Sequence, residues 1–332
     1  MHFTKRINSG TDFEIGINAT DDFWKGITTP VAPSTIVHLL RQGWERDLVS
    51  YLFIHRIEFA GRITDPSGKV IATVPLGRFA NAPDNEKTVE PFSSLMRCRT
   101  LYYGLSEGTG RSEYTITFSE NVATDFNPAV QRADCERFER GLREAFSKEL
   151  RARNLALLDT SARPSAQTND PFKGQTNYVA EARGSSVQEG AFSPNGAAFT
   201  ANDYFRDLVP AGYKTELLID MSLRSVEGLI LYLGEYVRTV NERPLATGYC
   251  EAGGPGPCIP LIVIKPATDA GDLEPFISVD YRGERYIVPR SGEDIRAGAG
   301  YSSQVIGLVQ TMLNLHRSAK DLPSTPLVRV IN

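Results

Sequence analysis

The run from Tyr213 to Val240 constrains this chain more than any other, because a strand-like apolar segment there feeds directly into a long helical stripe. Glu216-Leu217-Leu218-Ile219-Asp220 reads as a strand, and Ser222-Leu223-Arg224-Ser225 as the turn into a helix. Val226, Leu229, Ile230, Leu233, Val237 and Val240 then recur at the three- and four-residue steps that line one helical face. Glu227, Glu235, Arg238 and Thr239 are left for water. Ser225 is placed to cap the helix. Gly228 and Gly234 each cost about 1 kcal/mol relative to alanine inside a helix, so the sequence predicts that another backbone approaches that face closely.

A chain of 332 residues with 41% hydrophobic and 23% charged content has enough apolar material for one large or two ordinary domains. A net charge of −4 supplies no general attraction for nucleic acid, and nucleic-acid partners are not expected. No stretch reaches the roughly 18 consecutive apolar residues of a membrane span, and the opening residues carry no signal-type apolar core.

The four cysteines are read in two ways. Cys250 and Cys258 bracket Glu-Ala-Gly-Gly-Pro-Gly-Pro, a segment that turns back on itself, and they are the expected disulfide. Closing so small a ring contributes on the order of 2–3 kcal/mol and requires an oxidising compartment; two free thiols in a cytosolic loop are the competing reading. Cys98 and Cys135 sit in helix-like apolar patterns and are expected to be buried thiols. Cysteine spacing and four scattered histidines predict no zinc site.

Along the chain, Ser34–Leu40 reads as a capped helix ended by Gly43, with a second short helix over Trp44–Ser50 and a strand over Tyr51–Phe59. Asp65-Pro66-Ser67-Gly68 is a turn leading into Lys69–Val74, a hairpin. Glu90–Tyr103 is predicted helical, Glu113–Ser119 a strand, and Pro128 to about Leu155 a long helix with Cys135, Phe138, Leu142, Phe146 and Leu150 inward. Its many Glu/Arg and Glu/Lys pairs four residues apart add about 0.3 kcal/mol each and mark a solvated face. From Asp159 to Ala211 the composition turns polar with isolated aromatics. This segment is expected to be an irregular connector or a partner-wrapping strap, with Phe172, Tyr178, Phe192, Phe199, Tyr204 and Phe205 as contact anchors; packing on the chain's own core is the competing reading. Further on, Ile259–Lys265 reads as an interior strand. Phe276–Tyr281 and Glu284–Val288 form a hairpin around Arg282-Gly283, a helix follows Ser302 or Ser303, and Leu327–Ile331 closes the chain as a strand.

The expected fold is α+β: two layered lobes, 1–158 and 212–332, with mixed or antiparallel sheets packed by helices, joined by the irregular segment 159–211. No nucleophile elbow, phosphate loop, metalloprotease helix or dinucleotide fingerprint occurs, so no catalytic, cofactor-binding or metal-ligating residue is assigned and no cofactor is expected. Asp220, Arg224 and Glu227 are read as a structural salt-bridge cluster at the central strand-to-helix junction. Gly298–Ser303 could hold an anion at a helix start, although capping explains the same residues.

Thr29-Pro30-Val31-Ala32-Pro33 with Gln42-Gly43-Trp44, Leu223–Gly228 with Tyr232–Glu235, Val279–Tyr286 and Ser318–Pro323 together resemble a group of uncharacterised proteobacterial cell-envelope proteins of lipoprotein type. The resemblance implies a periplasmic or outer-membrane-associated protein whose partners are other envelope proteins. It also implies membrane contact only through a lipid anchor, for which this chain shows no signal or acylated cysteine at its start. The sequence reading is thus a non-enzymatic scaffold subunit of the envelope. A periplasmic hydrolase or ligand-binding protein, with its site at Asp220/Arg224/Glu227 or near Gly298–Ser303, and a cytosolic assembly subunit are the alternatives.

Overall fold

A computed structural model describes residues 2–6, 12–16, 21–83, 86–108, 111–120, 128–152, 196–242, 260–269, 271, 274–290 and 300–315. The chain begins with a hairpin, β1 (His2–Arg6) and β2 (Asp12–Gly16), followed by helices α1 (Asp21–Thr28), α2 (Pro33–Arg41) and α3 (Arg46–Phe53). A long hairpin, β3 (Ile54–Thr64) and β4 (Val70–Ala80), leads to α4 (Glu86–Cys98), a second hairpin of β5 (Arg99–Gly108) and β6 (Arg111–Glu120), and the helix α5 (Pro128–Ala152). Then come β7 (Gly196–Asn202), β8 (Lys214–Leu223), α6 (Val226–Glu242), β9 (Lys265–Pro266), β10 (Pro275–Tyr281), β11 (Glu284–Pro289) and α7 (Ser302–Leu315). Strand pairing among these elements is antiparallel, which makes the protein α+β.

The chain divides into a sheet unit, Val31–Arg224 with 251–254, and a split unit assembled from Met1–Pro30, Ser225–Cys250 and Pro255–Asn332. The predicted lobe boundary at 212 is therefore corrected. β8 belongs with the first half of the chain, because its alternating apolar residues pair along β3 from Ile54↔Leu223 to Thr64↔Lys214.

In the sheet unit the strand order is β4-β3-β8-β7. Alternation sends Ile57, Phe59 and Ile63 of β3, Val74 and Leu76 of β4, and Leu217, Ile219 and Met221 of β8 to one buried face. Helix α5 supplies Phe138, Leu142, Phe146 and Leu150 as its buried stripe, as predicted from its periodicity. Phe59 meets Phe138 edge-on at 5.1 Å between ring centres, and Phe146 stacks on Phe205 at 4.1 Å. Gly61 makes room for this: a Cβ on it would lie 2.5 Å from the Phe146 ring. The turn after β3 closes as read from sequence, with Asp65 accepting from the Ser67 and Lys69 amides at 2.9 and 3.0 Å and Gly68 at φ +87°.

Two predicted boundaries move. Tyr51–Phe53 finish α3 and the strand starts only at Ile54, because side chains from elsewhere in the unit hold the terminal carbonyls of α3 in helical geometry. The helix predicted for Glu90–Tyr103 runs from Glu86 to Cys98, and its remaining residues enter β5, paired along β6 from Arg99↔Glu120.

The split unit packs α1 and α7 against α6, with Phe23, Ile27, Val226, Leu229, Leu233, Tyr236, Val305, Leu308 and Met312 buried. Its sheet has the order β10-β11-β9. The β10–β11 hairpin turns through Arg282 at φ 53° and Gly283 at φ 82°, the two left-handed positions of a tight two-residue loop. The interior strand predicted for Ile259–Lys265 shrinks to Lys265–Pro266. Leu261 and Ile262 are buried, but side chains take the neighbouring amides: Leu261 N–H donates to the Tyr236 hydroxyl at 3.0 Å and Val263 N–H to the Ser302 hydroxyl at 2.9 Å. With those amides satisfied there is no strand ladder to form. The predicted strand Leu327–Ile331 lies outside the described residues.

Candidate interaction surface

The ionisable groups inside the sheet unit are engaged in holding it together. Asp134 is 1% exposed and accepts from Ser94 Oγ at 2.8 Å, Arg97 Nε at 2.7 Å and Arg137 Nη2 at 2.9 Å. Burial works to lower the Arg97 pKa, but the hydrogen bond and charge of Asp134 outweigh it and the guanidinium is held more basic than usual. One residue further along α5, Cys135 is bonded to Cys98. The expectation of two buried thiols is thus corrected: both positions are apolar and helical as read, but Cys98 is the last residue of α4, where α4 and α5 lie close enough for a disulfide. Cys250 and Cys258, the pair predicted to be bridged, lie outside the described residues.

Arg224 overturns the predicted salt-bridge cluster. Its guanidinium is buried and donates to the carbonyls of Leu52 at 3.0 Å, Ile54 at 2.6 Å and Asn81, with Tyr51 O at 3.3 Å. Asn81 Nδ2 adds bonds to Tyr51 O at 2.7 Å and Ile54 O at 3.0 Å. Helix α3 passes straight into β3 without a loop that would let water reach its last carbonyls, so this Arg and Asn cap them. Asp220 is exposed on the opposite face of β8, and Glu227 is exposed on α6 in the split unit. The alternation of β8 puts Asp220 on the wet face, which spacing along the chain alone did not reveal.

The predicted anchors divide. Phe172, Tyr178 and Phe192 lie outside the described residues. Phe199 stands in β7 opposite Ile219 of β8. Phe205 is corrected to a core residue, fully buried on Phe146, and Tyr204, half-buried, packs edge-on against it at 4.7 Å. Burial, then the nearby Glu139 charge, pushes the Tyr204 phenol well above its ordinary range.

The outer face of the four-stranded sheet is charged and internally paired, with Arg56–Glu58 and Arg62–Glu216 both at 3.1 Å and Arg78–Glu58 at 3.5 Å. Twist makes it an open concavity of about 840 Å³ lined by Glu58, Arg62, Thr73, Arg78, Thr200 and Asp220. Cross-strand pairs of this kind are the ordinary dress of a solvated sheet face. At the proposed anion segment, Tyr301 N–H donates to Pro260 O at 3.0 Å and the Ser302 hydroxyl accepts from Val263, so two of its polar groups serve the fold.

The split unit has a different surface. Trp24 of α1, Ile230 and Leu231 of α6, Val279 and Tyr281 of β10 and Leu315 of α7 are all exposed, Leu231 by 67%; in the sheet unit only Val70 and Ile71, beside the β3–β4 turn, join them as exposed large apolar residues among those described. Ile230 was predicted to belong to the buried stripe of α6, whereas the helix buries Val226, Leu229, Leu233 and Tyr236 and turns Ile230 outward. Leu231 falls off the predicted stripe altogether, and that off-stripe leucine was the available signal.

No family model, curated protein or solved structure matches the chain. Among the described residues no helix is long and apolar enough to cross a membrane.

Proposed function

We propose that this protein is a non-catalytic contact subunit of the extracytoplasmic cell envelope, working through the surface of its split unit. The carrying observation is the concentration of exposed large apolar side chains there, Trp24, Ile230, Leu231, Val279, Tyr281 and Leu315, on a strand and on helices that bury their other faces. Scattered apolar residues on a surface need no explanation, but a unit that shows several large ones on ordered elements is built to be covered. The Cys98–Cys135 bond supports an oxidising compartment. The main-chain carbonyls that the Arg224 guanidinium holds favour a structural part for it over a catalytic one.

The test is native electrophoresis of gently solubilised envelope from cells producing either the natural chain or a Trp24→Lys/Val279→Lys/Tyr281→Lys variant. The natural chain is expected in a species larger than two copies of itself, and the variant outside it. Migration of the natural chain at no more than twice its own mass would overturn the reading.

A further inference from the structure

The exposed face of α6 is self-complementary, and we infer that it pairs with the same face of a second copy in antiparallel orientation. Glu227, Leu231, Gly234 and Arg238 follow one another at helical steps of three and four, with Ile230 beside them three after Glu227 and four before Gly234, opposite the buried stripe of Val226, Leu229, Leu233 and Tyr236. Within this face Ile230 and Leu231 are 44% and 67% exposed, and the space above Gly234 is open, with nothing within 4 Å of a would-be Cβ. The sequence predicts a close backbone approach at this glycine, and no described residue provides one. Acid stands at the N-terminal end of the stripe and base at the C-terminal end, Arg238 also reaching Glu235 on its own helix.

Turning a second α6 end for end about the midpoint between Glu227 and Arg238 decides the partner. That single two-fold rotation sets each Glu227 against the other copy's Arg238 and each Leu231 over the other copy's Gly234, a large side chain above a residue with none. The charge pair and the leucine seat each form twice, as an isologous interface requires. A parallel pair would instead oppose Glu227 to Glu227 and Arg238 to Arg238, and leucine to leucine. Antiparallel packing also lets the backbones approach at the glycine, the geometry in which ridges fill grooves. One helix face is a small interface, so the dimer forms in the micromolar range and depends on concentration.

This inference rests on reading the split unit as a contact surface and names one occupant of it. Its test is sedimentation velocity of the purified full chain across the micromolar range. The natural chain is expected to shift from one copy to two. Leu231→Glu and Gly234→Leu, both at exposed positions with open surroundings, are expected to remain folded by circular dichroism and stay single. Glu227→Arg and Arg238→Glu each turn two attractive rim pairs into repulsive ones and are expected to weaken association roughly tenfold. The variant carrying both reversals restores opposite charges and is expected to return to near the natural affinity, a rescue that a parallel pair would not give. A natural chain that stays single throughout, or a dimer indifferent to Leu231→Glu and Gly234→Leu, or two reversals whose losses add when combined, would overturn the proposal. In those cases a large species in native electrophoresis would still support the wider contact reading, so the two fail separately.

Discussion

At the scale of single residues, Arg224 ties the end of α3 to the carbonyl of Asn81. Removing this buried guanidinium takes the side-chain donor from the carbonyls of Leu52 and Asn81, while Ile54 O keeps only the Asn81 amide. Arg224→Ala is therefore expected to cost about 3–4 kcal/mol in urea unfolding, and Arg224→Lys to recover only part of this, since a compact ammonium cannot span the same carbonyls. His55, at the first turn of β3, gives a second residue-scale expectation. Partial burial, followed by the charges of Arg224, Arg56 and Arg78, holds its pKa below the ordinary 6.5. The unfolded chain then takes up this proton first as pH falls, so the stability His55 contributes is present above pH 6.5 and declines below it. Urea midpoints measured from neutral to mildly acidic pH should fall for the natural chain and fall less steeply for His55→Gln. The predicted Asp220/Arg224/Glu227 cluster fails at this same scale: Asp220 lies on the wet face of β8, whereas Arg224, just past the end of that strand, turns in to the carbonyls that close α3.

At the scale of elements, the helices and strands that carry their own periodicity were legible. The buried stripe of α5, the Asp65–Gly68 turn and the Arg282-Gly283 hairpin emerge as read, because in each the local pattern and the tertiary environment ask for the same conformation. Elements decided by distant partners were not legible. Tyr51–Phe53 look like strand and are helix because Arg224 and Asn81 cap them, and Ile259–Lys265 look like strand but yield their amides to Tyr236 and Ser302. The α4–α5 link belongs to this class as well, since no local signal ties Cys98 to Cys135. Closing a loop with a sequence separation of 37 residues restricts the unfolded chain by about 4 kcal/mol. Peptide mapping without reductant should recover the Cys98–Cys135 cross-link. The Cys98→Ala/Cys135→Ala variant should lose stability of that order in urea, with Asp134 and its partners still holding α4 to α5.

At the scale of the whole molecule, the α+β class followed from composition and pattern, whereas the division of the chain did not. A polar stretch suggested a linear boundary, but β8 inserts into the sheet begun by β3 and β4, and the split unit is gathered from both ends of the chain. The candidate surface was little legible: the close backbone approach read from the α6 glycines is not met at Gly234, where nothing lies within 4 Å of a would-be Cβ, and the outward turn of Ile230 and Leu231 depended on which side of the helix met α1 and α7. On the proposed function, contact is made through this exposed face and not through the concavity on the sheet. Hydrogen exchange of the purified chain, dilute against concentrated, tests that directly. The expected result is slower exchange at high concentration in peptides spanning Val226–Glu242, with β8 and the β3–β4 hairpin unchanged. Protection confined to β3, β4 and β8, or none anywhere, would contradict it.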